Sequence, residues 1–143
     1  MSYVRLWIHA VWGTKSHRPV LTREIREQVI HHIRENARTK EICIDRLNGY
    51  TEHLHCLFAL NADMSVAKAL QLMKGESAFW TNKERVTPTK FEWADEYYAV
   101  SVSESALPVL RAYIERQEQH HRKSTYSEEV ATFLMDHNFV NQG

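Results

Sequence analysis

The order in which strand-like and helix-like patterns succeed one another is the strongest constraint on how this chain folds. Apolar alternation with β-branched and aromatic residues marks strands, and apolar residues at helical spacing mark helices. Along the chain these patterns occupy residues 3–12 (strand), 23–40 (helix), 42–50 and 53–60 (strands), 66–83 (helix) and 97–103 (strand). The order β-α-β-β-α-β predicts an α+β, ferredoxin-like (split β-α-β) fold, in which a four-stranded antiparallel sheet carries two helices on one face.

Two more helical patterns follow, at residues 106–123 and 127–139. A ferredoxin-like core leaves one sheet face open, so these additional C-terminal helices are expected to cover it, in their own subunit or in a partner. With 143 residues the chain is long enough to bury one core and short for two, and it is predicted to form a single domain, residues 1–143.

Helix ends and helix faces can also be predicted for the two internal helices. Thr22 and Ser65 stand directly before them and are typical N-cap residues. The buried side of the second helix is predicted to carry Val66, Leu70, Met73 and Phe79.

Charge and cysteine content restrict the classes of function. The chain has 18 Lys+Arg and 18 Asp+Glu, which argues against a broad basic surface that coats duplex DNA but leaves room for a locally basic site. Cys43 and Cys56 lie in apolar strand patterns and are predicted to be buried free thiols in a reducing compartment. Neither a signal-peptide pattern nor an apolar run of ~18 residues is found, which predicts a cytoplasmic protein.

The segment TEHLHCLF, residues 51–58, places two histidines one residue apart. Strand alternation directs His53 and His55 to one face of the sheet and Leu54, Cys56 and Phe58 to the other. The apolar set is predicted to pack under the two internal helices, and the imidazoles to lie on the open face. Such a pair is often structural in proteins, but on a rigid strand it also makes a sound pair of metal ligands.

The helical pattern at 106–123 offers partners for this pair. Tyr113, Gln117, His120 and His121 share one stripe of that helix, beside an apolar stripe that can dock on the open sheet face. The opposite side is predicted to point to solvent and carries Arg111, Glu115 and Gln119. Docking would bring Tyr113 and Gln117 toward the two strand histidines.

A phenol, an amide oxygen and two imidazoles around a divalent cation form a recognisable catalytic set. A Tyr hydroxyl, with a pKa of about 10, is a poor nucleophile until it is polarised or deprotonated. A mixed nitrogen and oxygen ligand set suits Mg²⁺ or Mn²⁺. Attack on a phosphodiester would leave a phosphotyrosine that stores the bond energy for rejoining. The rival nucleophiles Tyr97 and Tyr98 lie on a strand without a Gln four residues later, and Tyr126 lies beyond the expected end of the helix.

Five sequence blocks in this order resemble the single-tyrosine HUH transposases, the IS200-like family. His53-Leu54-His55 matches the histidine–apolar–histidine motif, and YIERQEQHH contains a Tyr followed four residues later by a Gln. HAVWGTKSHRPVL, LMKGESA and WADEYYAVSVSES also read like family members, so the resemblance extends from about Tyr3 to His121.

The resemblance implies a specific activity. Family members are homodimers that recognise hairpins in single-stranded DNA at insertion-sequence ends, which they cut and rejoin. By resemblance, Tyr113 is the nucleophile that attaches to the 5′ phosphate, and His53, His55 and Gln117 hold Mg²⁺ or Mn²⁺. In several members the tyrosine helix completes the partner's site, so the resemblance leaves open whether Tyr113 acts in its own subunit or in the other.

Two departures from the family pattern are visible. Glu52 stands before the first histidine where the family usually has an aspartate, and the overall charge is neutral. The residues predicted to contact DNA phosphates or DNA are Lys15, His17, Arg18, Lys74, His120 and His121.

Other classes of function remain as alternatives. One is a domesticated protein of the same fold that binds hairpins or single-stranded DNA without moving an element. A second is a non-catalytic RNA binder on a sheet of this topology, although the aromatic RNP motifs are absent. A third is a zinc-dependent hydrolase, for which the chain lacks a dense motif such as H-E-x-x-H.

Overall fold

The computed structural model describes residues 2–137 and shows an α+β fold within them. The strands are β1 (Trp7–Gly13), β2 (Cys43–Gly49), β3 (His53–Ala59) and β4 (Tyr98–Val102). The helices are α1 (Arg23–Thr39), α2 (Val66–Lys83), α3 (Leu107–Glu115), α4 (Gln117–His121) and α5 (Tyr126–His137). Single 3-10 turns lie at Lys15–His17 and Glu104–Ala106. The last two residues of the helix predicted at 127–139 lie outside the described range.

The four strands form one antiparallel sheet in the order β2-β3-β1-β4, which confirms the predicted ferredoxin-like arrangement. β3 is therefore a central strand, hydrogen-bonded on both sides. A tight turn links it to β2, and Gly49 makes that turn possible. A Cβ at this position would lie 2.0 Å from the carbonyl oxygen of His53, so only glycine fits.

One face of the sheet carries the main hydrophobic core. Leu54, Cys56 and Phe58 of β3 are fully buried there, together with Val29 and other apolar residues of α1 and α2. Burial raises the pKa of the Cys56 thiol to about 12, so this thiol stays protonated. The alternation predicted for this strand is confirmed.

Three local predictions on this side can be compared with the structure. Ser65 caps α2, where its side chain accepts a hydrogen bond from the backbone N–H of Lys68 at 3.0 Å. Thr22 occupies the N-cap position of α1, but its side chain makes no capping hydrogen bond. The prediction that Phe79 faces the core is wrong, because Phe79 is 66% exposed. It follows Leu70 by about 2.5 helical turns and therefore lies on the opposite side of the helix.

Cys43 and the start of the first strand also differ from expectation. Cys43 is exposed, so the prediction of a buried thiol is wrong at this position. It begins β2, an edge strand whose pairing with β3 is interrupted by a register shift between Ile44 and Arg46. β1 begins at Trp7, and the preceding residues 2–6, predicted in part to be strand, are exposed and lie outside the strand, although the Leu6 carbonyl accepts a hydrogen bond from the N–H of Leu60 at 2.7 Å.

The second face of the sheet is covered by α3, α4 and α5 of the same chain. A smaller core of Trp7, Leu57, Leu107 and Ile114 joins α3 to β1 and β3. The side of α3 that was expected to face solvent partly contacts the sheet instead. Two guanidinium nitrogens of Arg111 donate to the two carboxylate oxygens of Asp45 on β2, at 2.8 and 2.9 Å.

Glu115 likewise accepts a hydrogen bond from Arg46 of β2 at 2.6 Å, whereas Gln119 is exposed as expected. These ion pairs hold the edge of α3 on β2, which the apolar pattern alone did not indicate. Between residues 2 and 137, no helix combines the length and the hydropathy needed to cross a membrane.

Replacing Phe58 by alanine should lower the free energy of unfolding by about 3–5 kcal/mol, because it leaves a cavity in the main core. The matched change Phe79→Ala removes the same side chain from an exposed position and should change stability by less than about 0.5 kcal/mol. Guanidinium unfolding of both variants checks this expectation. Equal losses would show that the burial of Phe58 and the exposure of Phe79 are assigned incorrectly.

Candidate active site

His53 and His55 lie side by side on the inner face of β3, beneath α3, α4 and α5, and both are buried. The Nδ1–H of His53 donates to the Glu52 carboxylate at 2.7 Å. His55 Nδ1 lies 2.9 Å from Nε2 of His9 on the neighbouring strand β1. These outer contacts leave the Nε2 atoms of both rings pointing to the interior of the cluster, which is the arrangement that orients histidine ligands around metals.

The helix predicted at 106–123 is broken in the structure. Arg116 has φ −100° and ψ 26°, which ends α3, and α4 starts at Gln117. Asn48 of β2 donates to the terminal carbonyls of Ile114 and Glu115 at 3.1 and 3.3 Å, so the free end of α3 is satisfied by the sheet.

The break leaves Tyr113 and Gln117 on the same side of the chain. The amide Nε2 of Gln117 donates to the carbonyl of Tyr113 at 3.2 Å, and its Oε1 accepts from Nε2 of His53 at 3.0 Å. Gln117 is fully buried, and the Tyr113 ring meets His55 edge-on with centroids 5.5 Å apart. The structure therefore brings together the four residues singled out as nucleophile and ligands, all within one chain.

A carboxylate from α5, Glu129, lies at the centre of this cluster. Its Oε1 is 3.0 Å from Nε2 of His55, 3.3 Å from Nε2 of His53 and 3.4 Å from Nε2 of His121. Its Oε2 accepts a hydrogen bond from the Tyr113 hydroxyl and lies 3.2 Å from Nε2 of His120. One side chain thus joins the tyrosine to the histidine pair.

The charges in this cluster follow from burial and hydrogen bonding. Burial would raise the pKa of Glu129, but the hydrogen bonds with His53 and His55 lower it to about 2, so the carboxylate is ionised. Burial opposes charge on His53 as well, yet its bonds to Glu129 and Glu52 raise its pKa above the usual value. For His55 burial outweighs the opposing effect of Glu129, so the pKa of His55 is lowered. Burial and the nearby His53 lower the pKa of His121 to about 4.

Three residues of the site were missed in the sequence. His9 could have been found, because alternation with Ile8 and Ala10 directs it to the face of His55. Burial lowers the pKa of His9 to about 3, which keeps the ring neutral. Glu129 had no local signal, since it is one of two adjacent glutamates in an amphipathic segment.

Tyr126 is the third missed residue. It does lie beyond the helix that carries Tyr113, but the following helix brings it back to the site. It starts α5, is buried, and its ring stacks on His53 with centroids 4.4 Å apart and planes 10° apart. Burial raises its pKa, which makes the hydroxyl harder to ionise. Tyr126 therefore lies in the site as a packing partner of a histidine.

The loop with the predicted phosphate contacts Lys15, His17 and Arg18 lies beside the cluster. All three are exposed, and the His17 ring meets Tyr126 edge-on at 5.1 Å. Lys15 pairs with Glu92 at 3.1 Å across solvent-exposed side chains. The loop offers positive charge next to the site, and its contact with DNA stays a prediction.

His120 and His121, also predicted to contact DNA, approach opposite oxygens of Glu129 instead of spreading over an outer surface. The His121 side chain is 2% exposed, and that of His120 is 33% exposed. The adjacent pair on α4 thus shares one carboxylate but approaches its two different oxygens, as the splay of about 100° between neighbouring helical residues requires. Their contact with DNA stays a prediction.

Lys74 has a different environment from the one its predicted phosphate contact suggests. Its ammonium donates to the carbonyls of Ala94, Asp95 and Glu96 at 2.8, 3.2 and 3.2 Å. Partial burial lowers its pKa. The side chain tethers the loop before β4 to α2.

The donor atoms of the cluster fit a divalent cation. One ligand atom each from His53, His55, His121 and Glu129 lie within 4.8 Å of one another, and the Gln117 amide oxygen is next to them. Imidazole nitrogen, carboxylate oxygen and amide oxygen without thiolate suit Mg²⁺, Mn²⁺ and similar ions. The chemistry of the donor set therefore agrees with a metal site here.

Replacing Lys74 by methionine should destabilise the protein by about 1 kcal/mol, because one half-buried carbonyl, that of Ala94, and two exposed ones lose a charged donor. Lys68→Met, on an exposed position of the same helix, should change stability by less than about 0.5 kcal/mol. Thermal and urea unfolding measure both effects. An unchanged stability for Lys74→Met would remove the tethering role and leave the phosphate contact as the better explanation.

Comparisons with known proteins identify the family and the fold. The family model described as "Transposase IS200 like" matches residues 2–117. A search of curated proteins found no match. A structure of a candidate transposase from Deinococcus radiodurans is similar with a TM-score of 0.63 and 24% identity, over 82% of this chain and 95% of that one. A REP-associated tyrosine transposase bound to a REP hairpin is similar with a TM-score of 0.60 and 17% identity, over 85% of this chain and 72% of that one.

At these identities the two structures establish the fold. The family model matches well over half of the chain. The matched segment includes the two strand histidines, Tyr113 and Gln117. The chain belongs to the IS200-like transposase family.

Proposed function

We propose that this protein is a metal-dependent transposase that cleaves and rejoins single-stranded DNA at hairpin-bearing insertion-sequence ends. The observation that carries the proposal is the position of Tyr113. Its hydroxyl shares the Glu129 carboxylate with Nε2 of both His53 and His55, so nucleophile and candidate ligands meet in one buried cluster. Membership in the transposase family supports the substrate class.

Each side chain has a distinct role in the proposed reaction. His53, His55 and Gln117 would hold Mg²⁺ or Mn²⁺, which supplies Lewis-acid neutralisation of the charge on the target phosphate. Tyr113 loses its phenolic proton and forms a bond from its oxygen to the phosphorus, and the bond from phosphorus to the 3′ oxygen breaks. The products are a 5′-phosphotyrosine and a 3′ hydroxyl, which has taken up one proton, so that one proton is released and one is bound. Rejoining reverses the exchange with a new 3′ hydroxyl.

The outer residues orient these groups. Glu52 keeps the proton of His53 on Nδ1, and Glu129 accepts the hydrogen bond of the Tyr113 hydroxyl, which aligns the phenol. Because a phenol is a weak nucleophile until it is polarised or deprotonated, this alignment and the nearby charge matter for the reaction.

The DNA and the assembly are further parts of the proposal. A hairpin as the recognised element is supported by the family and by the fold shared with a transposase whose structure contains a REP hairpin. The exposed basic loop around Lys15 and Arg18 lies beside the site and is a suitable phosphate contact. We propose that the chain acts as one domain in a homodimer, with Tyr113 next to the histidine pair of its own chain.

A second candidate is a domesticated protein that binds hairpins without cutting. It is favoured by one observation: the Tyr113 hydroxyl and both histidine Nε2 atoms already contact a carboxylate of the same chain. An arrangement of this kind could hold the nucleophile without releasing it to a substrate. Covalent attachment to DNA separates the two candidates.

Tyr113→Phe should abolish the covalent protein–DNA adduct, because it removes the only oxygen of the proposed nucleophile. Its binding to single-stranded hairpin DNA should be retained. The matched change Tyr126→Phe, on a ring that stacks in the same site, should leave adduct formation within a few-fold of wild type. Denaturing gels measure the adduct with Mn²⁺ and oligonucleotides tiling both strands of the DNA that flanks the gene. An adduct that survives in Tyr113→Phe and disappears in Tyr126→Phe would exchange the two assignments, and DNA binding by wild type without any adduct would favour the domesticated binder.

Removing divalent ions with EDTA should stop adduct formation, and Mg²⁺ or Mn²⁺ should restore it. His53→Ala should lose most of the activity at any concentration of these ions, since one imidazole ligand is gone. The same gels with duplex DNA serve as the control and should show no adduct. Restoration by Zn²⁺ alone would contradict the proposed metal.

A further inference from the structure

The matched family segment ends at residue 117, but the cluster continues beyond it into α4 and α5. We propose that Glu129 and His121 are additional ligands of the divalent cation, so that α5 completes the metal centre when it docks. This inference rests on the proposed metal dependence and adds two ligands from the C-terminal part of the chain.

The distances within the cluster are those of neighbouring ligands. Two atoms that bind one ion at ~2.1 Å from adjacent corners of an octahedron lie about 3 Å apart. Oε1 of Glu129 is 3.0 Å from Nε2 of His55, 3.3 Å from Nε2 of His53 and 3.4 Å from Nε2 of His121. One ligand atom from each of these four residues lies within 4.8 Å of the other three, so a single cation can lie between them.

The hydrogen bonding of His121 points to the same position. Its Nδ1 lies 2.7 Å from the carbonyl of Ser124, which can only accept, so Nδ1 carries the ring proton. Its Nε2 is buried and has no hydrogen-bond partner. The unprotonated Nε2 therefore lies 3.4 Å from a Glu129 carboxylate oxygen without a hydrogen bond between them. Two electron-rich atoms held this close are stabilised by a cation that binds both.

His53 presents a related feature. Both its ring nitrogens face acceptors: Nδ1 faces Glu52, and Nε2 faces the oxygens of Gln117 and Glu129. A cation that takes the place of the Nε2 proton meets these same oxygen atoms. The carboxylate would then balance part of the charge of the ion in a buried site, where an unpaired charge is costly.

The position of α5 is defined by packing on both sides of Glu129. On one side Tyr126 stacks on His53, and a Cβ at Gly13 would lie 2.9 Å from its Cε2, so the chain leaves space for this ring. On the other side Val130 and Phe133 line, with His55, a cavity of about 10 Å³, about the space that one water molecule needs. Glu129 is thus aimed into the cluster by its helix.

One consequence is a link between metal binding, α5 and the nucleophile. If Glu129 binds the cation through Oε1, its Oε2 holds the Tyr113 hydroxyl on the same carboxylate. Binding of the ion then stabilises the docked helix and the aligned tyrosine together. In the alternative role Glu129 competes with the cation for its position. Removing the charge of Glu129 would then lower the Kd for the metal instead of raising it.

The test is a titration of the full chain with Mn²⁺, followed by the loss of the EPR signal of free aqueous Mn²⁺. Glu129→Gln should raise the Kd about tenfold or more, and His121→Phe, which keeps a ring in place, should also raise it. Asp136→Asn removes the same charge from an exposed position of the same helix and should leave the Kd unchanged. Circular dichroism checks that every variant is folded, and the rise in melting temperature with added Mn²⁺ gives a second measure, which should be smaller in Glu129→Gln than in wild type.

The outcomes separate this inference from the proposed function. If wild type and Glu129→Gln bind Mn²⁺ equally, or the variant binds more tightly, Glu129 is not a ligand, while His53→Ala still tests the histidine site. If wild type binds no Mn²⁺, both the additional ligands and the proposed metal dependence are overturned. Weaker binding in Glu129→Gln and His121→Phe, with unchanged Asp136→Asn, supports the inference.

Discussion

The alternation of β3 in the centre of the sheet is the constraint on which the rest of the structure depends. It buries Leu54 and Phe58 on one face and two imidazoles on the other, and both faces are closed by helices. Polar groups that are buried without partners cost free energy, so the second face can be covered only by elements that bring hydrogen-bonding partners. The helices α4 and α5 bring them, as the side chains of Gln117 and Glu129.

The partners are arranged in two layers. Outside, Glu52 and His9 engage the Nδ1 atoms of His53 and His55 and so set the orientation of the rings. Inside, the Nε2 atoms converge on one small volume next to Glu129. An orienting outer layer of this kind makes the inner atoms good ligands, because their direction no longer depends on free rotation of the rings.

Much of the fold could be predicted from the sequence because its elements have strong local patterns. The second helix has the predicted bounds, Val66–Lys83, and the first ends one residue before the predicted end. The errors have physical causes. Phe79 was assigned from hydrophobicity although its spacing places it outward, and the break at Arg116 depends on Asn48, a residue distant in sequence that caps the end of α3.

The sequence by itself determined the element order, the two faces of β3 and the set of Tyr113, Gln117 and the histidine pair, because each follows from short-range periodicity or a local motif. Only the tertiary structure decided that Glu129 lies among them. A residue 74 positions from His55 in the chain meets it through the packing of α5, and no periodicity within a helix encodes such a contact. For the same reason the roles of His121 and Tyr126 emerged only when the strands and helices were assembled around one buried site, whereas the alternation of β1 already directs His9 to the face of His55.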